Sequence, residues 1–394
     1  MLAPDTSLPA PSGIPEQQLN HSPNLQSCPQ CGVALDVGEL EPLASVTCPQ
    51  CEARFTTSSE LLQFRLESVL GQGGMGTVYK AYDNSLGRHV ALKLLRSDYT
   101  ANVEYLERLN DEAAIMAQLS HPNVVRVFSI GEDRGQFFLA MELIQHGTLD
   151  DVLQNQGQLA EIQALDIGIQ AAKGLKAAYE AGVLHRDVKP GNILFVNNQT
   201  VKITDFGLAE LTDSKSSESD EIIGTPYYIP PERLNREPED CRSDIYSLGA
   251  TLFHTIAGRP PFEASDATAV ALKHLKAQPV SLATYAPHVS GPTVYVINRT
   301  LLKDPNQRYQ SYAELIEHLE YARNELITAT GKPQGRARVV LEDEGQQKLW
   351  AWVSLGMLAV VALGGGGFLL FRDKPAPEVS AANKTGSAIA AEIT

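Results

Sequence analysis

The chain has 394 residues and a net charge of −15, with 43% hydrophobic and 20% charged residues. That composition describes a globular protein with some polar, flexible parts, long enough for one large core plus smaller modules. The acidic balance argues against a nucleic-acid binder, which needs a basic surface to displace counterions.

Residues 1–23 are rich in Pro and Ser and carry no Lys or Arg. They read as a disordered leader, because a secretory signal needs a basic start and an apolar core. Residues 24–57 then hold two C-x-x-C knuckles, Cys28/Cys31 and Cys48/Cys51, separated by sixteen residues. Each knuckle can present two thiolates to one ion, and four thiolates complete the tetrahedral sphere of a structural Zn²⁺. A redox dithiol competes with this reading, but it normally needs a single C-x-x-C beside a βαβ unit. Four unrelated core cysteines would not show matched spacing. The segment resembles a zinc ribbon, with "VALDV" and "ASVT" as short strands and Gly32 at the turn of the first knuckle. No Lys or Arg occurs before Arg54, so a phosphate-binding role for this module is disfavoured against a structural or protein-contact one.

The main body, residues 64–326, opens with "GQGGMGTVYK" from Gly71 to Lys80. G-x-G-x-x-G fits a dinucleotide-binding helix start or a hairpin over phosphates. The alternating "TVYKAYD" after Gly76 is a strand signal, and "HVALKLL" supplies a second strand after a turn. A hairpin is therefore expected, not a helix start. In "YLERLNDEAAIMAQL", Leu106, Leu109, Ala113, Met116 and Leu119 trace one helical face, and Glu112 shares it. A carboxylate aimed at a core needs a cation, and Lys93 is the expected partner. Further on, His185-Arg186-Asp187 is followed by Asn192, and Asp205-Phe206-Gly207 lies thirteen residues beyond that. Such oxygen-bearing side chains suit Mg²⁺.

Residues 327–348 read as a polar linker. Residues 349–371 contain no charge and are long enough to span a bilayer, with Trp350, Trp352 and Phe371 at the interfaces. Lys332, Arg336, Arg338 and Lys348 precede the span, against Arg372, Lys374 and Lys384 after it. This places the larger part in the cytoplasm by a narrow margin. The 372–394 tail is then extracytoplasmic and too short for a sensor domain.

Taken in order, these motifs resemble the eukaryotic-like serine/threonine protein kinases of bacteria, single-pass proteins of the cytoplasmic membrane. The resemblance implies an α+β bilobal fold, with a β-rich small lobe and a helical large lobe. It implies ATP under a roof of Leu70, Gly71, Gln72, Gly73, Gly74, Met75 and Gly76. Val78, Ala91 and Leu194 would sandwich the adenine, Met141 would be the gatekeeper, and Glu142 and Ile144 would offer hinge backbone. Lys93, held by Glu112, would grip the α/β-phosphates. Asp187 would orient the substrate hydroxyl and accept its proton, Lys189 would steady the γ-phosphate, and Asn192 and Asp205 would hold Mg²⁺.

Lys189 in "DVKPGN" and Thr225 in "GTPYYIPPE" are the serine/threonine version, and Pro230 departs from the usual alanine of Ala-Pro-Glu. Structural pairs are implied between Glu232 and Arg308, and between Asp244 and the catalytic loop. Arg186 goes with an activation loop ordered by phosphate on Thr212, Ser214, Ser216, Ser217 or Ser219, although a merely hydrophilic loop has the same composition. Partners would be proteins bearing Ser or Thr and the membrane, with kinase-domain dimers left open and no nucleic acid. A rival reading is a pseudokinase or scaffold that recruits partners through its lobes and zinc module.

Overall fold

The computed structural model describes residues 25–37, 40–96, 103–133, 135–206 and 226–329. The leader, the linker beyond Ala329, the 349–371 span, the tail, Gly207, the five phosphorylation candidates and Thr225 lie outside these residues; the first three residues expected in the linker instead continue the last helix.

The cysteine module is two small antiparallel hairpins. β1 (Leu25–Ser27) pairs with β2 (Ala34–Asp36), and β3 (Ser45–Thr47) pairs with β4 (Arg54–Thr56). The two knuckles share one backbone geometry. Cys28 N–H donates to the Val33 carbonyl and Gly32 N–H to that of Cys28, matched by Cys48 with Ala53 and Glu52 with Cys48. Gly32 and Glu52 occupy the same left-handed position at φ 76° and 57°, a strained choice for the glutamate. The two expected strands fall on β2 and β3.

A six-stranded antiparallel sheet follows, in the order β5-β6-β7-β8-β10-β9. Its strands are β5 (Glu60–Leu61), β6 (Phe64–Gly73), β7 (Gly76–Asp83), β8 (Arg88–Leu95), β9 (Val127–Asp133) and β10 (Gln136–Met141). Period-2 alternation gives this sheet two apolar faces. One buries Phe64, Leu66, Tyr79, Ala81, Val90, Leu92, Leu94, Phe138 and Ala140. The opposite one gathers Ala91, Val125 and Met141, with Val78, Leu139, Ile144 and Leu194 packed against them. Helix α1 (Val103–Gln118) runs between β8 and β9, burying Ala113 and Met116 as its apolar face requires.

The helical lobe begins with α2 (Leu149–Gln156). Its start is fixed by a capping box, in which Thr148 Oγ1 accepts from Asp151 N–H at 3.1 Å and Asp151 accepts from Thr148 N–H at 2.7 Å. Next come α3 (Glu161–Glu180), the hairpin β11 (Ile193–Asn197) with β12 (Thr200–Ile203), α4 (Pro231–Leu234), α5 (Cys241–Ala257), α6 (Ala267–Lys276), α7 (Leu282–Tyr285), α8 (Gly291–Thr300) and α9 (Tyr312–Ala329). Helix α5 is buried almost all round, polar Ser243, Asp244, Ser247, Thr251 and Thr255 included, with α3, α8 and α9 packed about it. This is the expected bilobal arrangement.

Glu232 on α4 meets Arg308 inside this lobe, at 2.7 and 2.9 Å. The guanidinium also donates to the carbonyls of Leu302, Arg242 and Lys303, so all five of its N–H groups are satisfied. Burial alone would raise the Glu232 carboxyl. Arg308 and the Ser243 hydroxyl instead hold it below the ordinary carboxylate range. Removing one partner of such a pair costs about 3–5 kcal/mol, because the other charge stays buried. Glu232→Ala is expected to lose stability on that scale in denaturant unfolding. The wild-type pair contributes fully above the unfolded glutamate value of about 4.3, and its contribution fades as pH falls through the lower folded value.

Candidate active site

The roof is a hairpin, as the strand signal after Gly76 requires: β6 and β7 pair down to Gly73 opposite Gly76. The glycines have different jobs. Gly71, Gly73 and Gly74 have open space where a Cβ would stand, whereas at Gly76 (φ 152°) a Cβ would fall 1.9 Å from the Leu94 carbonyl oxygen. Gly76 is glycine because β7 presses onto β8 there, and the other three leave the backbone bare for close approach by a ligand.

Next to the roof lies the apolar cluster of Ala91, Val125 and Met141 with Val78, Ile144 and Leu194. Val78, Ala91, Leu194, Met141 and Ile144, all expected near an adenine, are thus packed together. Glu142 is more committed than expected. Its N–H donates to the Arg126 carbonyl at 2.8 Å. Its carboxylate takes Lys202 Nζ at 2.6 Å and Arg126 N–H at 3.2 Å.

The loop between α3 and β11 carries Asp187. Lys189 Nζ lies 2.7 Å from Asp187 Oδ2, and Asn192 Nδ2 donates to both that oxygen (3.1 Å) and the Asp187 carbonyl (2.8 Å). The buried His185 ring joins this loop to the next. Its Nδ1 accepts from Asp187 N–H at 3.1 Å, so Nε2 carries the proton and donates to the Thr204 carbonyl at 2.9 Å. The ring also packs on Phe206 at 4.5 Å between centroids. From α5, the buried Asp244 accepts His185 N–H at 2.9 Å, Arg186 N–H at 2.8 Å and the Tyr312 hydroxyl at 2.8 Å. Burial, and then the Asp244 charge, push the Tyr312 hydroxyl well up, which keeps it a donor. Arg186 and Asp205 both hold positive φ, 67° and 63°. Strain of this kind persists only where surrounding bonds over-determine it.

The ion pairs differ from the expected set. Lys93, nearly buried, meets Asp205 at 3.0 Å. Glu112 does point toward the site, but it meets Arg186 at 3.6 Å. The expected Glu112–Lys93 pair is thus corrected. The helical face put Glu112 inward, but two cations lie within reach of that face, and only packing chooses between them. Arg186, expected to receive a phosphate, also lies 3.8 Å from Glu239, which in turn holds Arg233 at 2.8 Å. Burial pushes the Glu239 carboxyl up against the pull of Arg233 and Arg186. Neither Glu239 nor Arg233 was anticipated; Arg233 directly follows the Pro-Pro-Glu motif but carried no assigned role, and Glu239 has no spacing signal.

Asn192 and Asp205 carry the hard oxygen donors that a divalent ion on a triphosphate requires, and Asp205 lies against Lys93. The four cysteines meet a separate test. Their Sγ atoms all lie within 4.8 Å of one another, with Cys28–Cys51 and Cys31–Cys48 each at 3.6 Å. A tetrahedral zinc–thiolate site, with bonds of about 2.3 Å, has sulfurs about 3.8 Å apart. The crowded thiols do not ionise alike. The Cys31 backbone N–H leads in drawing Cys28 down to about 6. At Cys51 the Ala53 N–H favours the thiolate, but desolvation and the three neighbouring sulfurs outweigh it and push the thiol up to about 12. A cation would relieve that competition.

The protein kinase domain is matched over residues 64–320. The chain belongs to the protein kinase family. Among bacterial kinases, it is 38% identical over 285 residues to the serine/threonine-protein kinase PknA of Mycobacterium tuberculosis, covering 70% of this chain and 65% of that protein. To PrkC of Bacillus subtilis it is 30% identical over 335 residues, covering 77% and 52%. A probable serine/threonine-protein kinase of Corynebacterium efficiens shares 36% identity over 293 residues, covering 72% and 44%. The chain therefore spans about half the length of the curated kinases it matches. Among solved structures, the M. tuberculosis PknI kinase domain superposes with a TM-score of 0.54 at 26% identity, covering 68% of this chain and 98% of that one. Rad53 residues 1–466 in complex with AMP-PNP gives 0.56 at 27% identity, covering 65% and 64%.

Proposed function

We propose that this kinase-family chain is an ATP-dependent serine/threonine protein kinase. The observation that carries this reading is the convergence of Lys189 and Asn192 on one oxygen of Asp187, in a chain whose Lys93 meets Asp205. The names of the bacterial relatives and the AMP-PNP held by one structural neighbour support it. Bound MgATP supplies the transferable phosphoryl group and its charge neutralisation. The chain's own residues do the rest. Asp187 accepts the hydroxyl proton of a substrate Ser or Thr, and Lys189 places a positive charge beside it. Lys93 offers a desolvated cation to the phosphates. Asn192 and Asp205 present oxygens to the metal. Most of the rate comes from this positioning and charge neutralisation, since the transition state is loose.

The finer assignments complete the proposal. Residues 349–371 anchor the protein in the bacterial cytoplasmic membrane with the kinase domain inside, autophosphorylation falls on the 212–219 segment, and Cys28, Cys31, Cys48 and Cys51 hold a structural Zn²⁺. The scaffold reading draws on one observation, Glu112 lying against Arg186.

Incubation with labelled ATP and Mg²⁺ separates the two readings. Wild type is expected to transfer phosphate at least about 100-fold faster than Asp187→Asn, the usual scale of general-base catalysis; equal labelling would leave only the scaffold. Metal analysis is expected to give one zinc per chain and none in Cys28→Ser/Cys48→Ser, and a disulfide between the knuckles would overturn the zinc assignment. Deleting residues 349–371 is expected to move the protein from the membrane fraction to the soluble one, and an unchanged distribution would remove the anchor.

A further inference from the structure

The glycine roof is held from behind by the cysteine module. Glu41 lies 3.3 and 3.5 Å from the Thr77 hydroxyl through its two carboxylate oxygens, and one of them accepts from Gln72 Nε2 at 3.4 Å. Next to it, the Tyr79 hydroxyl donates to the Pro42 carbonyl at 3.4 Å, and Leu43 packs onto the apolar face that Tyr79 shares. Thr77 and Tyr79 sit on the sheet face opposite Val78, whose side chain lines the apolar pocket. The module therefore grips the outside of the roof and leaves the nucleotide side open.

The gripping segment is itself rigidly tied. Thr57 Oγ1 donates to the Glu41 carbonyl at 2.7 Å and accepts Ala44 N–H at 2.9 Å, while Thr57 N–H donates to the Ala44 carbonyl. Gln26 joins β1 to the far strand through the Thr56 carbonyl (3.0 Å) and Ser58 N–H (2.9 Å). The segment runs directly into β3 and the Cys48 knuckle. Whatever fixes the four sulfurs fixes Glu41.

The roof is held by its own ladder down to Gly73 opposite Gly76 and by Arg96 N–H, which donates to the Met75 carbonyl at 3.1 Å. Gly71, Gly73 and Gly74 add no side chain to those holds, and glycine loses the most conformational freedom on ordering. Pre-ordering such a loop raises affinity by lowering the entropy lost on binding. Resting on the kinase reading above, the geometry points to Glu41 as a positioning residue for ATP: the metal-loaded cysteine module clamps the back of the roof through it and so sets nucleotide affinity. The module is a built-in control on ATP binding, exerted without contact with ATP.

Binding of a fluorescent ATP analogue with Mg²⁺ to the full chain tests this. Losing hydrogen bonds of ordinary net strength corresponds to about three- to tenfold in affinity. Glu41→Ala is expected to weaken binding by that factor and to raise KM for ATP alike, with kcat at saturation within about twofold. Glu41→Gln keeps an acceptor oxygen for Thr77 and is expected to restore most of the affinity. Cys28→Ser/Cys48→Ser is expected to show a loss similar to that of Glu41→Ala, and combining the two should add little. Unchanged affinity in Glu41→Ala overturns the proposal, as do losses that multiply in the combined variant. If wild type binds the analogue but transfers no phosphate, the catalytic reading falls while the binding comparison still decides the role of Glu41.

Discussion

Asp244 is the carboxylate on which the site depends. It is buried at the first turn of α5 and accepts two backbone N–H groups of the catalytic loop, with a third bond from Tyr312 on α9. A buried carboxylate is tolerated only when its oxygens are satisfied, and here satisfying them fixes the backbone of His185 and Arg186. That backbone includes a positive φ at Arg186, which would relax without the bonds. From this anchor the order propagates: His185 reaches Thr204, Phe206 packs on His185, and Asp205 is carried to Lys93. The buried helix α5 thus supplies the rigidity, and the polar loop supplies the chemistry.

The small lobe solves a different problem. Its sheet must present a flexible glycine hairpin to a ligand while staying folded, and it does so by using both faces. One face carries an apolar cluster with Val78, Ala91 and Met141, and the other is a core that Leu43 of the cysteine module helps to close. The four thiols sit where one cation would satisfy all of them. A module too small to bury a core would gain rigidity from metal ligation, and here it abuts the glycine hairpin through Glu41 and Pro42.

The resemblance was legible because each motif is short and local. A lysine in a strand, His-Arg-Asp with Asn192, and Asp-Phe-Gly are read within a few residues, and alternation after Gly76 separated a hairpin from a helix start. The knuckle spacing was likewise enough to bring four sulfurs together. What could not be read was pairing between distant charges. Glu112 was rightly placed on the inward face of α1, yet its partner is Arg186 rather than Lys93, and Glu239 and Arg233 joined that network unannounced. The Glu142 side chain likewise finds Lys202, sixty residues away, and its N–H finds the Arg126 carbonyl.

By itself the sequence determined the chemical inventory and its order along the chain: a four-cysteine module, a glycine roof, a lysine, an aspartate with its asparagine, and a second aspartate. These follow from residue type and local spacing, which do not change on folding. Only the tertiary structure decided which carboxylate meets which cation, why Gly76 must be glycine against the Leu94 carbonyl, and that Glu41 stands behind Thr77. Charge pairing is set by where a helix or loop comes to rest, and that is a property of packed surfaces far apart in the chain. No local pattern carries it.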